Sequence, residues 1–280
     1  MVNLGKINSL AVVGKARPGV LLDGGELGEI LLPRRYAPAN CQVGDRLNVF
    51  VFPDSEQRVR ATTLKPYAMV GETAWLRVVS ADKFGAFLDW GLPTYLTAPA
   101  GEQKRRMTVG HSYLVYVYID DTTGRVAASS KLGKFLGKQP VTLKRGQRVG
   151  LLIDGETRMG YKAVVDDRWW GLLYRNEVFQ TLRSGQRIKG YVKQVREGGK
   201  IDLSLQKLGY DKVSSVSENI FKALQANNGF LAVTDKTPSE RIQELFGVSK
   251  KTYKKAVGAL YKARKIKLEK EGIALAQKHR

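Results

Sequence analysis

Residues 83–103 read KFGAFLDWGLPTYLTAPAGEQ, and this stretch decides the fold because it returns in three variants along the chain. Phe84 and Phe87 flank Gly85 and Ala86. Residues three apart in a regular strand point to opposite faces, so a shared face for the two rings requires a bulge, which Gly85 would mark. Ala86 and Leu88 then supply the inward-facing alternation. An outward aromatic pair on a basic protein is a platform on which nucleic-acid bases stack, and the competing reading is a pair of ordinary core rings.

Outward from this stretch, three glycine-anchored segments share one plan: VGDRLNVFVFPDSEQRVRATTL at 43–64, VGHSYLVYVYIDDTTGRVAASSKL at 109–132 and SGQRIKGYVKQVREGGKIDLSLQKL at 184–208. Each runs from glycine through an alternating strand and a turn to a short strand of small and hydroxyl residues. Three sets of markers hold one register: Gly19, Gly85 and Gly160; Pro33, Pro99 and Tyr174; Gly44, Gly110 and Gly185. Within each set the spacings are 66 and then 75 residues. About five short alternating strands per repeat of roughly 65 residues predict a small antiparallel β-barrel of the oligonucleotide-binding type.

After Gly209 the chain turns lysine-rich and its apolar period becomes helical. Ser217 is read as the cap of a helix carrying Ile220, Phe221 and Leu224 and ending at Asn227, Asn228 and Gly229. Thr237, Pro238 and Glu240 read as a capping box before Ile242, Leu245 and Phe246, all turned inward. Gly247 turns the chain, and Ser249 caps a third helix with Tyr253, Ala256, Val257 and Leu260 at core spacing. Ile266 and Leu268 then face Ile273 and Leu275 across a turn containing Glu271 and Gly272, as in a β-hairpin wing. Residues 217–276 therefore read as a winged helix.

Composition narrows the function class. The 280 residues include 47 Lys and Arg against 26 Asp and Glu, a net charge of +21. That excess points to a polyanion, nucleic acid ahead of an anionic membrane surface. Cys41 is the one cysteine, and His111 and His279 are the two histidines. This excludes an intrachain disulfide and a thiolate metal cluster, and leaves little for histidine-based sites. No long apolar run occurs, so neither a signal peptide nor a membrane span is expected, and a reducing cytoplasm fits. Asp120 with Asp121, and Asp166 with Asp167, are read as turn residues rather than as a nuclease metal pair. No phosphate-binding glycine loop or Ser/His/Asp set accompanies them, so a non-enzymatic chain without metal or cofactor is expected.

KFGAFLDWG in the second repeat, and WWGLLYRNEV at 169–178 with SGQRIKGYVKQVREGGKIDLSL at 184–205 in the third, resemble the S1 domain, an RNA-binding barrel. Three such barrels before a winged helix resemble the conserved virulence factor B family of bacterial RNA-binding proteins. The most telling pieces are WGLPTYLTAPAGEQ at 90–103 and LFGVSKKTYKKAVGALYKARKI at 245–266; the family pattern has a Lys-Asp pair where Thr94 and Tyr95 stand. The resemblance implies RNA binding with an effect on gene expression and no enzymatic activity. The expected fold is mainly β: S1-type barrels at 1–66, 67–138 and 139–208, then an α+β winged-helix domain at 209–280.

Candidate binding residues follow from the repeat. Met159 and Lys162 occupy in the third repeat the places of Phe84 and Phe87, and Tyr174 is its third-strand aromatic. Arg158, Lys162 and Arg175 beside Tyr174 give stacking with phosphate contact, against the reading of a solvated basic surface. Trp169 and Trp170, being adjacent, point opposite ways, which leaves open which one is core. The first repeat has Pro18 and Leu21 at the aromatic places; its Arg34, Arg35 and Tyr36 read as structural, so it looks degenerate for binding. Lys250, Lys251, Lys254 and Lys255 line the outward face of the third helix, and Lys262, Arg264, Lys265 and Lys267 extend the charge towards the wing. A lysine face without Arg, Asn or Gln at reading positions contacts phosphate with little base specificity.

Net charges of +3, +3, +7 and +8 for residues 1–66, 67–140, 141–208 and 209–280 concentrate phosphate affinity towards the C-terminus. The expectation is a cytoplasmic protein holding single-stranded RNA along the second and third barrels and clamping it with the C-terminal helix. The alternatives are a DNA-binding transcriptional regulator acting through the winged helix and a ribosome-associated factor.

Overall fold

The structure, a computed structural model, describes residues 1–54, 56, 58–178, 180–207 and 212–276, with the backbone alone at 212–215. The first barrel comprises β1 (Lys6–Ala16), β2 (Gly19–Asp23), β3 (Glu29–Pro33), β4 (Arg46–Pro53) and β5 (Val59–Thr62). The second comprises β6 (Thr73–Ala81), β7 (Gly85–Asp89), β8 (Leu96–Pro99), β9 (Ser112–Ile119) and β10 (Val126–Ser129). The third comprises β11 (Arg148–Thr157), β12 (Gly160–Val165), β13 (Trp169–Tyr174), β14 (Arg187–Arg196) and β15 (Lys200–Ser204).

All three close in one strand order, first to second to third to fifth to fourth and back to the first. The pairs β3–β5, β8–β10 and β13–β15 are parallel, against the expectation of a wholly antiparallel barrel. Five strands in a ring cannot alternate direction throughout, so one neighbouring pair must run the same way.

The glycine markers have distinct causes. Gly19, Gly85 and Gly160 pair with Pro33, Pro99 and Tyr174. A Cβ at these glycines would stand 2.0, 2.6 and 2.0 Å from the carbonyl oxygens of Leu32, Ala98 and Leu173. Hence Gly85 permits a close backbone approach and does not mark a bulge. The bulges lie instead in the first strand of each barrel, at Val12/Gly14, Val78/Ser80 and Ile153/Gly155. The carbonyls of Val12, Val78 and Ile153 accept from the amides of Gly44, Gly110 and Gly185, which hold φ of +97, +84 and +82°.

The barrels are fused in sequence. Phe50 and Phe52 of β4 pack into the core of the second barrel, with Phe50 edge-on to Trp90 at 5.6 Å. Leu114 and Leu132 meet Leu152 and Val164 in a cluster shared by the second and third barrels, against which Trp75 and Trp170 pack. Trp75 fills the space over Gly185, where a Cβ would lie 2.4 Å from its ring. In the β12–β13 turn Asp166 and Asp167 both have positive φ. Asp166 accepts from the Gly150 amide, and Asp167 accepts from the amide and hydroxyl of Thr73 in the second barrel. Arg187 donates to the Thr73 carbonyl. The acidic pair is thus a turn that docks one barrel on the next.

The C-terminal domain contains α1 (Lys212–Ala226), β16 (Phe230–Leu231), α2 (Ser239–Phe246), α3 (Lys250–Lys262), β17 (Ile266–Leu268) and β18 (Ile273–Leu275). Its core joins Ile220 and Leu224 of α1 with Ile242, Tyr253, Ala256 and Leu260. Ser249 caps α3 by accepting from the Thr252 amide, and Gly247 ends α2 in the left-handed region. Three expectations are corrected. Ser217 lies inside α1 and donates to the Ala256 carbonyl, so contact with α3 uses the hydroxyl that a cap would have used. Thr237 accepts from the Thr234 amide and closes the preceding turn, which leaves Pro238 at the cap of α2 without a side-chain bond. Leu245 is 44% exposed, whereas Ile242 and Val248 are buried. β16, which pairs with β18, has only two residues and carries no periodic signal.

Candidate nucleic-acid interface

In the third barrel, the second and third strands, the segment 137–141 and the turn between the fourth and fifth strands line a depression of about 900 Å3. Alternation on β13 buries Trp169, whose Nε1 donates to the Gln139 carbonyl at 3.2 Å, and turns Trp170 out onto this face. Lys162 of β12 stands over Trp170, its Nζ 3.5 Å from the ring centre, and Asp154 Oδ2 lies 3.9 Å from the ammonium. Burial lowers the Lys162 pKa from the ordinary lysine value; Asp154 opposes this, and Lys104 of the second barrel adds to it. Met159, 57% exposed, is an apolar part of the lining, to which Arg196 and Lys200 also belong.

Arg196 is held by a network. Asp202, 3% exposed, accepts from Arg196 Nε at 3.1 Å, from Gln194 at 2.7 Å and from the Tyr174 hydroxyl at 3.3 Å. Tyr174 in turn accepts from Arg196 at 3.0 Å. Tyr174 does not line the depression; its hydroxyl orients the arginine that does. Arg175 pairs with Glu156 at 2.9 Å and donates to the Thr157 carbonyl, outside the depression. Arg158 is exposed on the turn between the lining residues Thr157 and Met159.

Phe84 and Phe87 part company. Phe84, on the turn before β7, is 71% exposed with Lys83 Nζ 5.0 Å from its ring centre. Asp82 fixes this turn by accepting from the amides of Phe84 and Gly85. The cleft beside it, about 220 Å3, is lined by Lys83, Lys104, Arg105 and Arg106 together with Asp82. Phe87, half-buried, opens on the other side towards the first barrel.

On α3, Lys251, Lys254 and Lys255 are exposed, Lys250 is half-buried, and Lys254 lies 3.9 Å from Asp235. Lys262, Arg264, Lys265 and Lys267 are exposed around the start of the wing. Among the described residues no three His, Cys, Asp or Glu side chains assemble as a metal site, and no helix is long and apolar enough to cross a membrane.

Sequence reasoning missed Arg196, Lys200 and the run Lys104–Arg105–Arg106. The run itself was the available signal, directly after the stretch at 83–103.

Comparison with known proteins bears on these surfaces. Residues 218–275 match the CvfB-like winged helix domain and residues 4–64 match the S1 domain. Conserved virulence factor B of Staphylococcus aureus is 26% identical over 98% of this chain and 95% of its own length. The protein of that name from Staphylococcus epidermidis is 24% identical over the same shares. The chain is similar to conserved virulence factor B over 98% of its length. The S1 match falls on the first barrel, and the match to the virulence-factor-B-like winged helix covers the lysine-bearing α3. A multidomain protein with nucleic acid binding domains from Streptococcus pneumoniae is 23% identical in sequence, with 97% of this chain and 98% of that one covered and a TM-score of 0.42.

Proposed function

We propose that the chain is an RNA-binding protein that regulates gene expression after transcription, holding single-stranded RNA across the second and third barrels with the basic winged helix as a clamp. The observation that carries this reading is the third-barrel depression, where Trp170 lies under the Lys162 ammonium and Arg196 and Lys200 share the lining. A base stacks on an aromatic face irrespective of its identity, for about 1–3 kcal/mol, and half-buried Trp170 offers such a face beneath Lys162, while the surrounding cations track the backbone. When a base arrives, the Lys162 ammonium moves from the ring to a phosphate. The chemistry is non-covalent throughout. The α3 lysines add phosphate contacts without reading bases.

Competition at fixed salt between single-stranded RNA and duplex DNA of equal length tests the reading. Preferential retention of the single strand is the expected result. Preference for the duplex would transfer the function to the winged helix as a DNA-binding regulator. Co-sedimentation with ribosomes that survives high salt would favour a ribosome-associated factor instead.

A further inference from the structure

Two adjoining depressions, of about 320 and 370 Å3, share Phe52, Asp54, Pro93 and Thr94 and so form one groove across the junction of the first and second barrels. The first lies on the first barrel's third strand and carries Arg35, Tyr36 and Arg60. The second carries Phe87, Tyr95 and Arg125. The Arg35 guanidinium stacks on Tyr36 at 4.7 Å, and Tyr95 is 52% exposed.

The segment joining the two halves is built in place. Trp90, buried against Phe50 and Phe52, donates through Nε1 to the Thr94 carbonyl at 2.6 Å, and Gly91 makes the turn with φ of +84°. Asp54, the acid in the groove, is held by Arg58 and Arg60, each at 3.1 Å. Burial raises its pKa, but hydrogen bonds from Arg60, from the Arg58 and Glu56 amides and from the Arg58 guanidinium prevail and hold it at about 2. Asp54 is thus an anion at neutral pH, and Arg35, Arg60 and Arg125 outnumber it in the lining.

We infer that this groove is a second single-stranded nucleic-acid site, composed by the first two barrels jointly, in which bases stack on Tyr95, Phe87 and Tyr36. Arg35 accompanies the backbone. The inference rests on the reading of the chain as a nucleic-acid-binding protein, but it does not use the third-barrel depression. It gives the first barrel, which lacks aromatics at its Pro18 and Leu21 places, a binding role through its junction with the second. It also pairs Phe87 with Tyr95 rather than with Phe84.

The test uses the full chain and 4-thiouridine-substituted oligouridylates of about 8 nucleotides, within the span of one such barrel, and of about 30, enough to cross several. Crosslinks from the long strand are expected in the peptides holding Tyr36 and Tyr95. The double variant Arg35→Ala, Tyr95→Ala is expected to bind the long strand about tenfold more weakly and the short one, seated in the third barrel, as the parent does, which also shows that the variant is folded. If the parent binds both strands, the variant matches it on both and crosslinks avoid the junction, the groove is not a site and the proposed function stands. Failure of the parent to bind either strand overturns both readings.

Discussion

The first and third barrels are one skeleton with opposite faces. Register places Asp54 and Arg60 of the first where Arg196 and Asp202 stand in the third, because Phe52 pairs with Arg60 as Gln194 pairs with Asp202. Each is an ion pair between the end of the fourth strand and the fifth strand, six residues apart, with its polarity reversed. In the third barrel the acid is buried and the arginine faces the depression; in the first, acid and arginine both line the groove. By the same register Glu29 occupies in the first barrel the place of Trp170, since Asp23 pairs with Glu29 as Val164 pairs with Trp170. The character of a barrel's face is thus set by a few positions, while its closure depends on a different set.

The largest effects should be common to both barrels. Gly19→Ala and Gly160→Ala each drive a methyl group into a third-strand carbonyl, and each should destabilise by about 3 kcal/mol, read as a fall in unfolding temperature. Tolerance in one alone would break the structural equivalence. The next effect should separate them: Trp170→Ala should weaken single-stranded RNA binding by about 1–3 kcal/mol, and Glu29→Ala should leave it unchanged in the same titration. Exchanging polarity in the third barrel, Arg196→Asp with Asp202→Arg, should weaken binding by roughly 1 kcal/mol and flatten the salt dependence by about one phosphate contact, a slope change near 0.7 for a single strand.

The smallest effect concerns the first barrel alone. The folded-state pKa of Asp54, about 2, lies below its ordinary value of 3.8, so its contribution is complete above pH 4 and disappears as pH falls through 2. Asp54→Asn should therefore lower the unfolding temperature at pH 7, and the gap from the parent should narrow between about pH 4 and pH 2.

What sequence reading recovered is what backbone geometry dictates. Gly19, Gly85 and Gly160 announce themselves because no side chain fits against the third-strand carbonyl, and Gly44, Gly110 and Gly185 because their turn needs positive φ. The winged helix was visible in its caps, Gly247 and Ser249. Facing was harder. Alternation shows that Trp169 and Trp170 oppose each other, yet which one is buried depends on the loop carrying Gln139, about thirty residues earlier in the chain. Arg196 was unreadable because its direction is set by Asp202 across a turn, and Tyr174 because its hydroxyl is consumed by that pair. Ser217 carried a true capping signal that a contact with a distant helix overrode.

The docking turn of Asp166 and Asp167, with Trp75 seated over Gly185, has a consequence for whatever lies across the second and third barrels. Two surfaces joined by packed side chains and hydrogen bonds act as a ruler. On the proposed function, a strand that engages both would present its unstacked nucleotides at an interval fixed by the protein, so selection would fall on distance along the strand and on freedom from base pairing more than on the identity of any base.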